Sequence, residues 1–171
     1  MDWQWFTNGD ENDFLNWAWT PEDGFSPYYA SAYSEAILMY VLGIGAPDPS
    51  KRLDTTDWYN LSRPTQTYDG FSYTFEKALF THQYPQLWID FRKKKDTLTG
   101  NYYMNTFKAV LHHRGYCIDN QNEYTTYGPD SWGLGEADGP DGNYHHYGVG
   151  TIGVDNDGTI SPNNLGCSIM H

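Results

Sequence analysis

The segment from Ser26 to Pro47 constrains this chain more than any other. Ser26 is a good N-cap, and Pro27 follows at the first helical position, where a missing N–H does no harm. Tyr29, Ala32, Tyr33, Ala36, Ile37, Tyr40 and Val41 then recur at helical spacing, until Gly43, Gly45 and Pro47 stop the run. Leu38, Met39 and Leu42 make the opposite side apolar too, so the pattern predicts a helix buried nearly all round. Glu35 stands in the middle of it. A carboxylate there costs several kcal/mol unless it is paired or protonated, and desolvation raises a carboxyl pKa toward the range a general acid needs. The plain alternative is a buried Glu tied to Arg92, Arg114 or a helix end.

The rest of the chain reads as shorter elements joined by loops. Residues 1–25 are polar, Trp-rich and turn-rich. Residues 54–61 suit a short helix capped by Asp54 or Thr55. Residues 65–76 alternate around Asp69-Gly70, a hairpin signal. Helices are expected over 85–94, with Tyr84, Leu87, Trp88 and Phe91 on one face, and over 99–118. Beyond residue 120 the chain is rich in Gly, Asn and Asp. Long loops of this kind often carry function. No repeat and no linker interrupts residues 1–171, so one mainly α domain with long loops and a small hairpin is expected.

Composition excludes several partners. A net charge of −12 with ten Lys and Arg offers no basic stripe for nucleic acid and little attraction to an anionic membrane. No run of 18 apolar residues is present to span a bilayer. The first residues lack a basic n-region and an apolar h-region, so no signal peptide is expected among them. Cys117 and Cys167 could pair in an oxidising compartment but make no framework. The 7 Trp, 15 Tyr and 8 Phe are more informative. Such rings fill cores, but Trp and Tyr also present an apolar face and a polar tip that suit sugar rings.

Three groups of residues carry candidate chemistry besides Glu35. His82-Gln83-Tyr84 and Trp88-Ile89-Asp90-Phe91-Arg92 are dense in stacking and hydrogen-bonding groups, although Asp90 and Arg92 could equally be an ion pair. The stretch 132–142 is a Gly-rich acidic loop with Trp132, Glu136, Asp138 and Asp141. Its carboxylates could supply a base that activates water, or could cap their own turn. Asp155-Asn156-Asp157-Gly158 fails as an EF-hand, because the first and twelfth positions fall on Gly153 and Asn164. His112-His113 and His145-His146 lack the spacing that places two metal ligands on one helix face. No phosphate loop, dinucleotide fingerprint or nucleophile elbow occurs. Neither a metal nor a cofactor is expected.

Several blocks, in order, resemble the bacterial putative-glucoamylase family, whose members include β-1,2-glucanases. They are residues 19–25, Tyr33-Ser34-Glu35-Ala36 with residues 42–47, His82-Gln83-Tyr84, residues 88–92, residues 114–118, Trp132-Gly133-Leu134 with Asp138-Gly139-Pro140, and residues 157–162. The resemblance implies the middle-to-C-terminal part of an (α/α)6 toroid and hydrolysis of a glucan, β-1,2-linked above all. A twelve-helix toroid takes roughly 300 residues, so 171 correspond to part of one.

The same resemblance implies that Glu35 is the general acid of an inverting reaction, which keeps its two carboxyl groups roughly 6.5–9.5 Å apart. Asp138 or Asp141, or a residue outside this chain, would be the base. Trp19, Tyr33, Trp88 and Trp132 would stack against sugar, with His82, Gln83, Asp90 and Arg92 as hydroxyl partners. Tyr-Ser-Glu stands where the family has Tyr-Asn-Glu, and Gly135-Glu136 where it has small or hydroxyl residues. The expected partner is a glucan or oligosaccharide met in the periplasm or outside the cell. A non-catalytic carbohydrate-binding or truncated domain is the rival reading, with a homo-oligomer completing the core as a third.

Overall fold

In the computed structural model the described residues are all of 1–171 except Asn12 and His171. The chain divides into two compact units, Met1–Arg63 and Pro64–His171. The secondary structure is helical with short antiparallel hairpins.

In the first unit, β1 (Trp19–Thr20) pairs with β2 (Gly24–Phe25), and two helices follow, α1 (Ile37–Ile44) and α2 (Thr55–Asn60). The helix expected from Pro27 begins ten residues late. Residues 26–36 are irregular because their backbone groups pair across the chain. Ala30 N donates to the Leu15 carbonyl at 2.8 Å and Tyr33 N to the Ser62 carbonyl at 2.8 Å. Tyr40 locks this arrangement from α1, its hydroxyl donating to the Ala30 carbonyl and accepting from Leu15 N. A buried backbone group must find a partner, and here the partners are distant rather than four residues back. The expectation of all-round burial also fails: Ile37 and Tyr40 are buried, but Leu42 is exposed. The short helix α2 forms as expected, on an Asp54 capping box in which Asp54 accepts from Thr56 N and Asp57 accepts from Asp54 N.

In the second unit, β3 (Thr65–Tyr68) and β4 (Phe71–Thr74) form the expected hairpin, with Tyr68 opposite Phe71. Asp69 and Gly70 both take positive φ, as a two-residue hairpin turn requires. Then come α3 (Leu79–Gln83), a 3-10 turn over Tyr84–Leu87, the long helix α4 (Tyr102–Asp119), the pair β5 (Ala137–Asp138) with β6 (Tyr144–His145), and α5 (Pro162–Cys167).

The helix expected over 85–94 is thus displaced. Pro85 lacks the N–H that would extend α3, so the chain tightens into the 3-10 turn and leaves helix there. Helix α4 starts three residues later than expected because Asn101 caps it, accepting from Met104 N at 2.9 Å. Around α4 gathers the core of Tyr73, Leu79, Ala109, Cys117, Leu134 and Tyr147. Asn105 extends α4's hold on the hairpin, pairing both amide atoms with the Thr74 backbone.

Candidate functional site

In the first unit, Glu35 lies in the turn before α1, not in mid-helix, and is half-buried. The Ser34 hydroxyl accepts from Ala36 N at 3.2 Å and the Glu35 carbonyl accepts from Leu38 N at 3.2 Å, which sets this turn. Beside it Tyr33 is buried at 3 % exposure, so its ring is core and not a stacking surface. Trp19 keeps that option. It is 44 % exposed on β1, edge-on to Trp5 at 5.5 Å.

In the second unit the expected hydroxyl partners separate by burial. His82 and Gln83 face inward from α3 at 1 % exposure each. The His82 Nε2 donates to the Glu76 carbonyl at 3.2 Å, and burial pushes its pKa down to about 4. Gln83 Nε2 donates to the Asn164 carbonyl and the Ser168 hydroxyl. Both therefore hold the fold instead of reaching outward, a correction that follows from α3 starting at Leu79 and turning this face to α4 and α5. Trp132 is likewise core, packed with the side chains around α4.

Trp88, Asp90 and Arg92 are brought together, along a concavity of 490 Å³ that Leu87 and Tyr103 also line. Trp88 is 66 % exposed and edge-on to Tyr84 at 6.3 Å. Asp90 and Arg92 form a two-pronged ion pair, Nε to Oδ1 at 2.9 Å and Nη2 to Oδ2 at 2.8 Å. The guanidinium holds the Asp90 carboxyl below the usual carboxylate range.

The acidic loop divides its carboxylates. Asp141 accepts from Asn143 N at 3.0 Å, Asn143 Nδ2 at 2.8 Å and His145 Nε2 at 2.9 Å. These donors, the Asn143 side chain first, hold its carboxyl well below the usual range. Such a carboxylate is a poor proton acceptor, and Asp141 caps its own turn. Asp138 is exposed on β5, opposite Tyr144.

In the sequence Glu136 reads only as one of the acidic loop's carboxylates and His146 only as half of a rejected metal pair, while Glu76 and Tyr144 escape that reading as site residues. Glu136 accepts the Tyr144 hydroxyl at 2.7 Å and His146 Nδ1 at 2.9 Å. Glu76 is half-buried, its carboxyl raised by desolvation and, to a smaller extent, by the Glu136 charge. It accepts from Ala78 N at 2.6 Å at the start of α3. Only the cross-hairpin pairing of residues 136 and 144–146 reveals these partners, and strand pairs of two residues leave no pattern to read. Among the described residues no three His, Cys, Asp or Glu gather as a metal site. No described helix is long and apolar enough to cross a membrane. Cys117 and Cys167 are both free thiols, the first in the core of α4 and the second half-buried at the end of α5.

Comparison with known proteins places these features. An exo beta-1,2-glucooligosaccharide sophorohydrolase (non-reducing end) of Parabacteroides distasonis is 27% identical over 164 residues, covering 81% of this chain and 23% of the relative. The crystal structure of a putative glucoamylase from Bacteroides caccae superposes with a TM-score of 0.80 at 26% identity, over 95% of this chain and 41% of that one. A second, from Bacteroides uniformis, gives 0.82 at 26% identity, over 98% and 42%. A beta-1,2-glucanase from Parabacteroides distasonis shares the fold at a TM-score of 0.83 and 22% identity, over 98% and 28%. The chain thus spans less than a quarter of the curated relative and about two fifths of the Bacteroides structures. The model of the putative-glucoamylase family matches residues 27–171, and the chain belongs to that family.

Proposed function

We propose that this chain is part of a glycoside hydrolase that cleaves a glucan, with β-1,2-linked glucose as its substrate, by inverting acid/base chemistry. The observation that carries the reading is the family match over residues 27–171, joined by a relative named for exo action on β-1,2-glucooligosaccharides. The chain then supplies part of an (α/α)6 toroid. The glucan is met in the periplasm or outside the cell.

Glu35 is the proton donor in this reading. Its turn is set by local hydrogen bonds and it is half-buried there, which supports a carboxyl partly withdrawn from bulk water. Asp138 is the base that directs water to the anomeric carbon. Its exposure supports that role over Asp141, whose oxygens are taken by three donors. Exposed Trp19 and Trp88 supply stacking faces.

Reducing-sugar release from β-1,2, β-1,3, β-1,4 glucans and starch tests the reading, with Glu35→Gln alongside. Release from the β-1,2 polymer that falls at least about a hundredfold in the variant is expected, since general acid catalysis contributes about that much. Full activity in Glu35→Gln removes the assignment, and no release by the folded chain leaves the carbohydrate-binding reading.

A further inference from the structure

Charge is unevenly placed along this chain. Residues 1–50 hold eight Asp and Glu and no Lys, Arg or His, whereas four of the ten Lys and Arg stand in a row at Arg92-Lys93-Lys94-Lys95. All four are exposed. Arg92 is taken by the Asp90 carboxylate, and Lys94 Nζ donates to the Asp90 carbonyl. Lys93 and Lys95 make no ion pair among the described residues. The loop thus keeps two ammonium groups without a counter-charge.

The acidic end of the chain presents aromatic rings. Backbone groups pair across residues 16–29: Asn16 stands opposite Tyr29, Trp17 N donates to the Tyr28 carbonyl at 3.1 Å, and Ser26 N to the Ala18 carbonyl at 2.9 Å. Side chains alternate between the two faces of such a ribbon, and residues opposite each other share a face. Asn16 is buried at 3 % exposure, so its face is the inner one. The next pair, Trp17 with Tyr28, falls on the outer face, at 43 % and 72 % exposure. Glu22 and Asp23 are exposed in the turn of the same ribbon. Rings of this kind attract an ammonium or guanidinium over their faces, and the carboxylates nearby add to the pull.

We infer that this ribbon docks a second copy of the chain, whose Lys93 and Lys95 lie over Trp17 and Tyr28. Charge complementarity selects the occupant. A net charge of −12 makes two copies repel over most of their surfaces, so the attractive register is the one that sets the basic loop on the acidic ribbon. The contact is heterologous, ribbon on one copy and loop on the other. It stands independently of the glucan-hydrolase reading.

Sedimentation velocity on the full chain tests this, over about 1 µM to 1 mM, the range of weak contacts. The runs are made in 0.01 M and 1 M NaCl, between which the Debye length falls from about 30 Å to about 3 Å. At low salt the average mass rises with concentration above the 19.7 kDa of one chain, and at high salt it returns to that value. Lys93→Gln combined with Lys95→Gln raises the dissociation constant at least about tenfold, and so does Trp17→Ala. Tyr28→Ala serves if Trp17→Ala unfolds. The lysine variant keeps its ribbon and Trp17→Ala keeps its loop, so an equimolar mixture of the two recovers a dimer that neither forms alone. A single chain throughout the range at low salt overturns the inference and leaves the ribbon to another cationic partner. Association that persists at 1 M NaCl, that the variants retain, or that the mixture fails to recover overturns it as well.

Discussion

His145 Nε2 lies 2.9 Å from Asp141 Oδ1, closing the turn between β5 and β6. The hydrogen bond to Asp141 raises the His145 pKa, with Asp155 and Asp157 adding to it. A histidine raised on folding adds stability below its unfolded pKa of about 6.5, and loses it as pH climbs through the folded value. The hairpin is therefore tightest below about pH 6.5 and loosens as pH rises through the raised His145 value. An NMR titration of His145 should show a midpoint above that of a free imidazole, falling back in Asp141→Asn. Equal midpoints in the two proteins would remove the link.

Acid acts in the opposite sense on the core of the second unit. Burial lowers His82 and His112 to about 4, and His113 well below its ordinary value. The unfolded chain binds protons at these positions from pH 6.5 downward while the folded unit does not. Each of His82 and His112 then reduces stability by up to about 1.4 kcal/mol per pH unit between about 6.5 and 4. Denaturant unfolding at pH 7, 6 and 5 should show that decline, and a flat profile over this range contradicts it.

Tyr40→Phe removes the hydroxyl that joins Leu15 N to the Ala30 carbonyl, both buried. Two backbone groups are left unpaired, so the variant should be destabilised by about 1–3 kcal/mol. Urea unfolding measures it. A change below about 0.5 kcal/mol, the ordinary scatter of surface substitutions, would mean that residues 26–36 are held by other contacts.

At Gly43 two effects compete. Alanine favours a helix by up to about 1 kcal/mol over glycine. A Cβ at this position, however, meets Leu53 Cδ1 at 2.7 Å and Cγ at 3.0 Å, and Leu53 is buried. Overpacking costs about 1–3 kcal/mol, so Gly43→Ala should lower stability by about 1 kcal/mol net. A raised melting temperature in a thermal scan would show that Leu53 repacks without strain.

The hairpin over 65–74, helix α2 on its Asp54 cap and the body of α4 were legible in the amino-acid order, because each depends on neighbours within a few positions. Asp69-Gly70 suffices for a tight turn, and Asp54 needs only Thr56 and Asp57 to make its box. The family blocks were legible for a related reason: short runs such as Trp88-Ile89-Asp90-Phe91-Arg92 keep their order whatever their surroundings.

Burial decided the rest. Tyr33, His82, Gln83 and Trp132 carry side chains suited to sugar, yet the fold turns them inward, while Trp19 and Trp88 remain outside. Residues 26–36 have a helical pattern that loses to partners at Leu15 and Ser62. The Glu136–Tyr144 contact joins residues 8 positions apart through a loop. Local sequence thus determined which turns and helices can form and to which family the order of motifs points. Tertiary structure alone decided which polar groups face water, because exposure depends on distant residues that compete for the same backbone and side-chain hydrogen bonds.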